Sequence, residues 1–290
     1  MSNTQSSSPT LDTVLYINDV SVYHKHEPLL KQIHLKIEKG SFHCLIGESG
    51  SGKSLLTRTV LNMKEDDLTY RGEIHLDLTQ TDAMFQDANR NFFQNVRIKR
   101  HFDALFDSMS SSLTRDQQKA FVLRQFKHLG LDQPESIYYQ YPFELSGGMA
   151  QRVALVMAIV REAQFLIADE PTSALDQNNR HSLMALLHHV VTEHDMTVLF
   201  VTHDLNLVLN YATHISVMLN GNIVETGRAS DILRDPQHAY TKQLIELANR
   251  RYQSLGATQQ QTTVFACPGF VHGLVEHFDA GDGGLLGFAN

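Results

Sequence analysis

The sequence predicts an α/β fold built on a mostly parallel sheet, with a helical subdomain inserted into it. Three observations predict this. Phe42–Ile46, Phe165–Ala168 and Val198–Thr202 are short, largely apolar runs of the kind that form strands buried on both faces. Helical patterns alternate with them along the chain, the order of a parallel sheet. From about residue 91 to 141 the strand pattern stops. Apolar residues there recur at helical spacing, in Phe102, Leu105 and Phe106 and again in Phe121, Val122, Phe126 and Leu129.

The elements follow in order. Val14–Val22 and Ile33–Ile37 alternate and carry β-branched residues, so they read as strands. Phe42–Ile46 stops at Gly47 and feeds a glycine loop, after which Lys53–Met63 reads as a helix. Gly72–Leu78 is a further strand. The helical insertion, about 91–160, closes with a helix over Gly147–Arg161. Strand Phe165–Ala168, helix Ser182–His194 and strand Val198–Thr202 come next. Asp204 suits the cap of a short helix to Ala212. Ile215–Leu219 and Ile223–Glu225 flank Asn220-Gly221, a hairpin turn. Tyr240–Arg251 is the closing helix. Residues 1–13 read as a disordered lead-in. The tail 251–290, with Gln259-Gln260-Gln261 and a glycine-rich end, has no assignable fold. No internal repeat is visible.

Composition narrows the function. With 42% apolar and 19% charged residues the chain reads as an ordinary packed protein. Its net charge of −8 gives nucleic acid or an anionic membrane nothing general to attract. No apolar run approaches the ~20 residues of a membrane helix, and no basic and apolar leader opens the chain. Cys44 and Cys267 form neither a disulfide framework nor a metal spacing. These features predict a cytosolic chain unless something carries it to a membrane.

Gly47-Glu48-Ser49-Gly50-Ser51-Gly52-Lys53-Ser54 fits the phosphate-loop pattern and sits between a strand and a helix, the context that pattern requires. Phosphates need many N–H donors at close range. Glycines let the backbone curl that tightly, and the following helix presents its N-terminal N–H groups to the same anion. Lys53 can reach the β- and γ-phosphates, and the Ser54 hydroxyl can ligate Mg²⁺. Phe165–Ala168 leads into Asp169-Glu170. Beside a phosphate loop, Asp169 suits Mg²⁺ and Glu170 suits a general base for an attacking water. These expectations make a nucleotide and Mg²⁺ the ligands, and the resemblance below implies that the nucleotide is ATP.

Leu145-Ser146-Gly147-Gly148-Met149-Ala150-Gln151-Arg152 adds a second helix N-terminus suited to an anion. It resembles the signature of ABC ATPases, and the other motifs of that family appear in order. Gln86 matches the glutamine loop, which senses Mg²⁺ and couples to a membrane domain. Ser173-Ala174-Leu175-Asp176 matches the D-loop, with Asp176 facing the opposite subunit. His203 matches the switch histidine. Tyr23, 24 residues before Gly47, matches the aromatic that stacks on adenine. Of the 16 histidines only His203 has this strand-end position in the motif order; His188-His189 reads as a helix face rather than a metal site.

The resemblance spans roughly residues 14–250. It implies a P-loop NTPase core with a mostly parallel sheet, an N-terminal antiparallel β part and the inserted helical subdomain. It also implies that Ser146, Gly147, Gly148 and Gln151 act on a nucleotide held by a second ATPase subunit. Tyr141-Pro142-Phe143-Glu144 and Asp235–Leu244 are similar to the peptide and nickel importer branch. That branch implies a different second ATPase chain, two transmembrane permease subunits and an extracytoplasmic solute-binding protein. It implies a place on the cytoplasmic face of the membrane, and a cargo of nickel, a metal chelate or a small peptide. Two features depart from the branch: Gln86 follows Lys53 by only 33 residues, and Asp87-Ala88-Asn89-Arg90 replaces its usual run. A soluble ABC ATPase with a non-transport role is the alternative. It is disfavoured because no coiled coil, zinc cysteines or second cassette interrupts or follows the motifs.

Overall fold

The computed structural model describes residues 12–87, 91–173, 175 and 177–256. The expectations for residues 1–11 of the lead-in, for Asp176 and for the tail beyond Gly256 lie outside these residues, while Thr13, counted with the lead-in, already belongs to a strand.

The chain opens with strands β1 (Thr13–His24) and β2 (Glu27–Glu38), then β3 (Phe42–Ile46), helix α1 (Lys53–Val60), β4 (Leu68–Leu76) and β5 (Thr81–Met84). Four helices follow: α2 (Ile98–Ser108), α3 (Arg115–His128), α4 (Pro134–Tyr139) and α5 (Gly147–Val160). The rest alternates: β6 (Phe165–Asp169), α6 (Gln177–Glu193), β7 (Thr197–Thr202), α7 (Leu205–Val208), β8 (His214–Leu219), β9 (Asn222–Arg228), α8 (Ala229–Arg234) and α9 (Ala239–Gly256).

Two sheets form. One is antiparallel with order β2-β1-β4; the other has order β5-β6-β7-β3-β8-β9 and is parallel except for the β8–β9 hairpin. Every residue of β3, β6 and β7 is buried, as expected of central strands covered on both faces. Alternation along them divides the core. Leu45, Ile167, Leu199 and Val201 pack with Leu15, Ile17, Ile33 and Ile37 of the small sheet. Their neighbours Cys44, Ile46, Leu166, Ala168, Val198 and Phe200 pack on the helical side.

The inserted helices have their own aromatic centre, where Phe102 meets Phe126 edge-on at 5.6 Å and Tyr138 at 6.4 Å. α3 is started by a reciprocal cap between Thr114 and Gln117, which satisfies two otherwise orphaned N–H groups.

Several bounds differ from the sequence expectation. α1 stops at Val60, short of Met63, because Asn62 turns left-handed at φ +56°. α6 begins at Gln177, five residues earlier than expected, and α7 covers only four residues. β5 was not expected at all. It is a short edge strand paired only with β6, and Asp82 in its middle breaks any apolar pattern. That carboxyl is half-buried, and desolvation pushes its pKa up against the opposing pull of Arg161 at 3.8 Å.

Candidate active site

β3, β6 and β7 are parallel neighbours, so their carboxyl ends lie on one edge of the sheet. Ligands of open α/β sheets bind beyond such ends. The sequence places a motif at each: Gly47–Ser54 after β3, Asp169-Glu170 at β6 and His203 after β7. The fold thereby brings together residues more than 150 positions apart.

The phosphate loop is tightly seated. A methyl group on Gly47 would lie 2.2 Å from the Met218 carbonyl oxygen, so this glycine is required by the close approach of β8. Gly52 has φ +106°, a conformation that favours glycine. The Gly221 N–H donates to the Ser51 carbonyl at 2.9 Å, and the Glu48 N–H donates to the Tyr240 hydroxyl at 3.0 Å. The hairpin and α9 therefore brace the loop from outside. Ser51 Oγ is buried with no hydrogen-bond partner among the described residues, a donor of the kind a phosphate oxygen satisfies.

Lys53 is 4% exposed and donates to the Gly47 and Glu48 carbonyls at 2.8 and 2.9 Å. Burial lowers its pKa, while the charges of Glu170 and Asp169 raise it. Glu170 lies between two partners: Oε1 is 3.7 Å from Lys53 Nζ and Oε2 is 3.3 Å from His203 Nδ1. Its backbone is left-handed, φ +48°, uncommon for a side chain with a Cβ and a recurrent feature of active sites. Val201 and Ser173 hold it there: the Glu170 N–H donates to the Val201 carbonyl at 2.9 Å, and Ser173 Oγ donates to the Glu170 carbonyl at 3.0 Å.

Asp169 accepts from Ser54 Oγ at 3.3 Å and from Thr57 Oγ1 at 3.1 Å. Burial pushes its pKa up, and the two hydroxyls pull it down. A buried carboxylate beside a serine hydroxyl is a hard oxygen donor set, which fits Mg²⁺. A bound dication would also reverse the burial penalty. Thr57 was not singled out from the sequence; its place one helical turn after Ser54 is the signal that identifies it.

Two further expected residues come from other strands, Tyr23 from the antiparallel sheet and Gln86 from beyond the carboxyl end of β5, parallel to β6. Tyr23 is half-buried on β1 with the Arg71 guanidinium 5.2 Å above its ring. Gln86 is exposed just past β5. Ser146 caps α5, its Oγ accepting from the Met149 N–H at 3.3 Å. With Gly147 and Gly148 it lines an open depression of about 350 Å³ that includes Leu175 and Leu183 and no residue of the phosphate loop. A methyl group on either glycine would meet nothing within 4 Å.

Gln151 lines the same depression. Its side chain is buried at the floor of the depression, and its amide nitrogen donates to the Pro171 carbonyl. That contact braces the loop after Glu170.

Comparison with known proteins gives a consistent picture. The ABC transporter family model matches residues 30–173. The chain is 31% identical to a peptidoglycan transport ATP-binding protein of Agrobacterium fabrum, covering 80% of this chain and 46% of that protein. It is 29% identical to an oligopeptide transport ATP-binding protein of Bacillus subtilis, covering 80% and 71%. It is also 29% identical to the ATP-binding protein of a metal-staphylopine import system of Staphylococcus aureus, covering 81% and 92%. The chain thus spans less than half of the first of these relatives. Among solved structures, a dimeric ATP-binding cassette in a post-hydrolysis state with ADP and Pi matches with a TM-score of 0.64 and 25% identity, over 74% of this chain and 99% of that one.

Proposed function

The chain belongs, through its ABC transporter domain, to the family of ABC ATP-binding proteins, and we propose that it is the ATP-hydrolysing subunit of an importer for small peptides or metal chelates. It works at the cytoplasmic face of the membrane, with a second ATPase subunit, two permease subunits and an extracytoplasmic solute-binding protein. No helix of the described residues is long and apolar enough to cross a membrane. The names of the peptide and metal-staphylopine relatives support the two classes of cargo.

The observation that carries this reading is the Ser146 cap with its two uncrowded glycines. Neither glycine has a left-handed φ and neither is required by packing. Glycine near a helix start also costs backbone entropy. The residue choice is explained by something that approaches from outside: the phosphates of a nucleotide bound to another subunit. The separation of this depression from the chain's own phosphate loop supports the same conclusion.

Within the site each residue has a task. The N–H groups of residues 47–54 and the Lys53 ammonium bind the phosphates. Tyr23, backed by Arg71, offers its ring to the adenine. Ser54 and Asp169, with Gln86 from the segment after β5, would hold Mg²⁺, which would supply charge neutralisation at the phosphates. Glu170 accepts a proton from the water that attacks in line. His203 donates toward the γ-phosphate and fixes the Glu170 carboxylate. The Gln86 segment and the inserted helices carry the closing motion to the permeases.

Affinity capture of the chain from detergent-solubilised native membranes, followed by an ATPase assay, tests this reading. Recovery with two permeases and a second ATPase is the expected result. Recovery from the cytosol alone, active and without membrane partners, would contradict it.

A further inference from the structure

His128, His189 and Glu193 meet on the surface, away from the nucleotide edge. His128 is the last residue of α3, while His189 and Glu193 lie one turn apart at the end of α6. His128 Nε2 is 3.3 Å from Glu193 Oε2, and His189 Nε2 is 3.4 Å from the same oxygen. All three ligand atoms lie within 4.8 Å of one another. Around a tetrahedral ion with bonds of about 2.0–2.1 Å, ligand atoms sit about 3.3–3.4 Å apart. The two His–Glu contacts already have that spacing.

An i,i+4 His–Glu pair on one helix is by itself a weak surface ion pair. Here a third ligand comes from a different helix, and its imidazole ring lies 5.8 Å from that of His189. The two adjacent histidines of α6 divide their roles. His188 packs its ring on Phe42 and Tyr211 at 6.2 and 5.2 Å, while His189 is exposed and joins the cluster. Two imidazoles and one carboxylate suit a borderline divalent ion such as Zn²⁺, with water completing the shell.

We propose that His128, His189 and Glu193 form a zinc-type divalent metal site that ties the helical subdomain to the core. α3 belongs to the inserted helices. α6 belongs to the core and connects the strand ending in Asp169 to the strand preceding His203. An ion at this place holds the insertion against the element that links two parts of the nucleotide site.

The test uses untagged, nucleotide-free protein near pH 7.5. Zn²⁺ binding is followed by calorimetry, and Co²⁺ binding by visible absorption, in the wild type and in His128→Ala, His189→Ala and Glu193→Gln. All three positions are exposed, and equal melting temperatures in EDTA establish that the variants fold. The expected result is one Zn²⁺ per wild-type chain, weakened at least about tenfold by each substitution. Intense tetrahedral Co²⁺ bands should appear in the wild type only, and Zn²⁺ should raise the melting temperature of the wild type only. Absence of binding to the wild type, or undiminished binding in the three variants, overturns the proposal.

Discussion

Glu170 Oε2 stands 3.3 Å from His203 Nδ1, while the other oxygen of the same carboxylate faces Lys53 at 3.7 Å. The carboxylate is thus clamped between the lysine of the phosphate loop and the histidine that follows β7. A contact of this kind orients a carboxylate only if both partners persist. His203→Ala should therefore lower the ATPase rate of the assembled complex by about 10²-fold or more, with nucleotide affinity changed little. A variant within twofold of wild type would remove His203 from the site.

Gly148 has room for a side chain and a backbone that any residue adopts. Gly148→Ala should leave the isolated chain as stable as wild type, or more stable by up to ~1 kcal/mol. ATP turnover by the assembly should nevertheless fall, because the added methyl would stand where the proposed second nucleotide docks. Thermal melting and phosphate release, measured on the same preparation, separate the two effects. A stable variant with undiminished turnover contradicts the role given to the Ser146 cap.

Asp169 is held above the usual carboxylate range by burial. Its ionised form therefore destabilises the nucleotide-free fold at neutral pH, a cost present above its raised pKa and absent below the unfolded value near 3.8. Asp169→Asn should raise the melting temperature at pH 7, and the gain should shrink as the pH approaches 4. The same substitution should abolish Mg²⁺-dependent turnover. A lower melting temperature at pH 7 would show that the hydroxyls of Ser54 and Thr57 outweigh burial.

His43 is buried on β3, with Nε2 2.8 Å from Ser216 Oγ and the His214 ring stacked at 5.9 Å. Burial first, and the neighbouring His214 second, hold its pKa down at about 3 against a usual 6.5. Below pH 6.5 the unfolded chain takes up a proton that the folded chain refuses, so this group costs stability as pH falls from 6.5 toward 3. His43→Gln keeps a partner for Ser216 and should flatten the loss of melting temperature across that range. An unchanged pH profile would contradict the assignment.

The sequence exposed most of the fold because the central strands are buried on both faces and read as unbroken apolar runs. β5 escaped because Thr81-Asp82-Ala83-Met84 is an edge strand whose pairing with β6, not its pattern, makes it a strand. The order of Gly47–Ser54, Asp169-Glu170 and His203 was legible since each motif closes a strand of one parallel sheet. What was not legible depends on tertiary contact. The left-handed φ of Glu170, the inward turn of Gln151 to Pro171, the Arg71 over Tyr23 and the Tyr240 hydroxyl on the phosphate loop all join distant or backbone-determined partners. Thr57 lies between these cases, since helical spacing puts it beside Ser54 but only the fold brings Asp169 to it.

The central claim is that Glu170 is the base for hydrolysis. The most direct measurement compares ATP binding with phosphate release in Glu170→Gln, using the membrane-derived assembly. The account predicts wild-type-like ATP affinity with turnover reduced by about 10²–10⁴-fold. Turnover close to wild type, with ATP still bound, would contradict it.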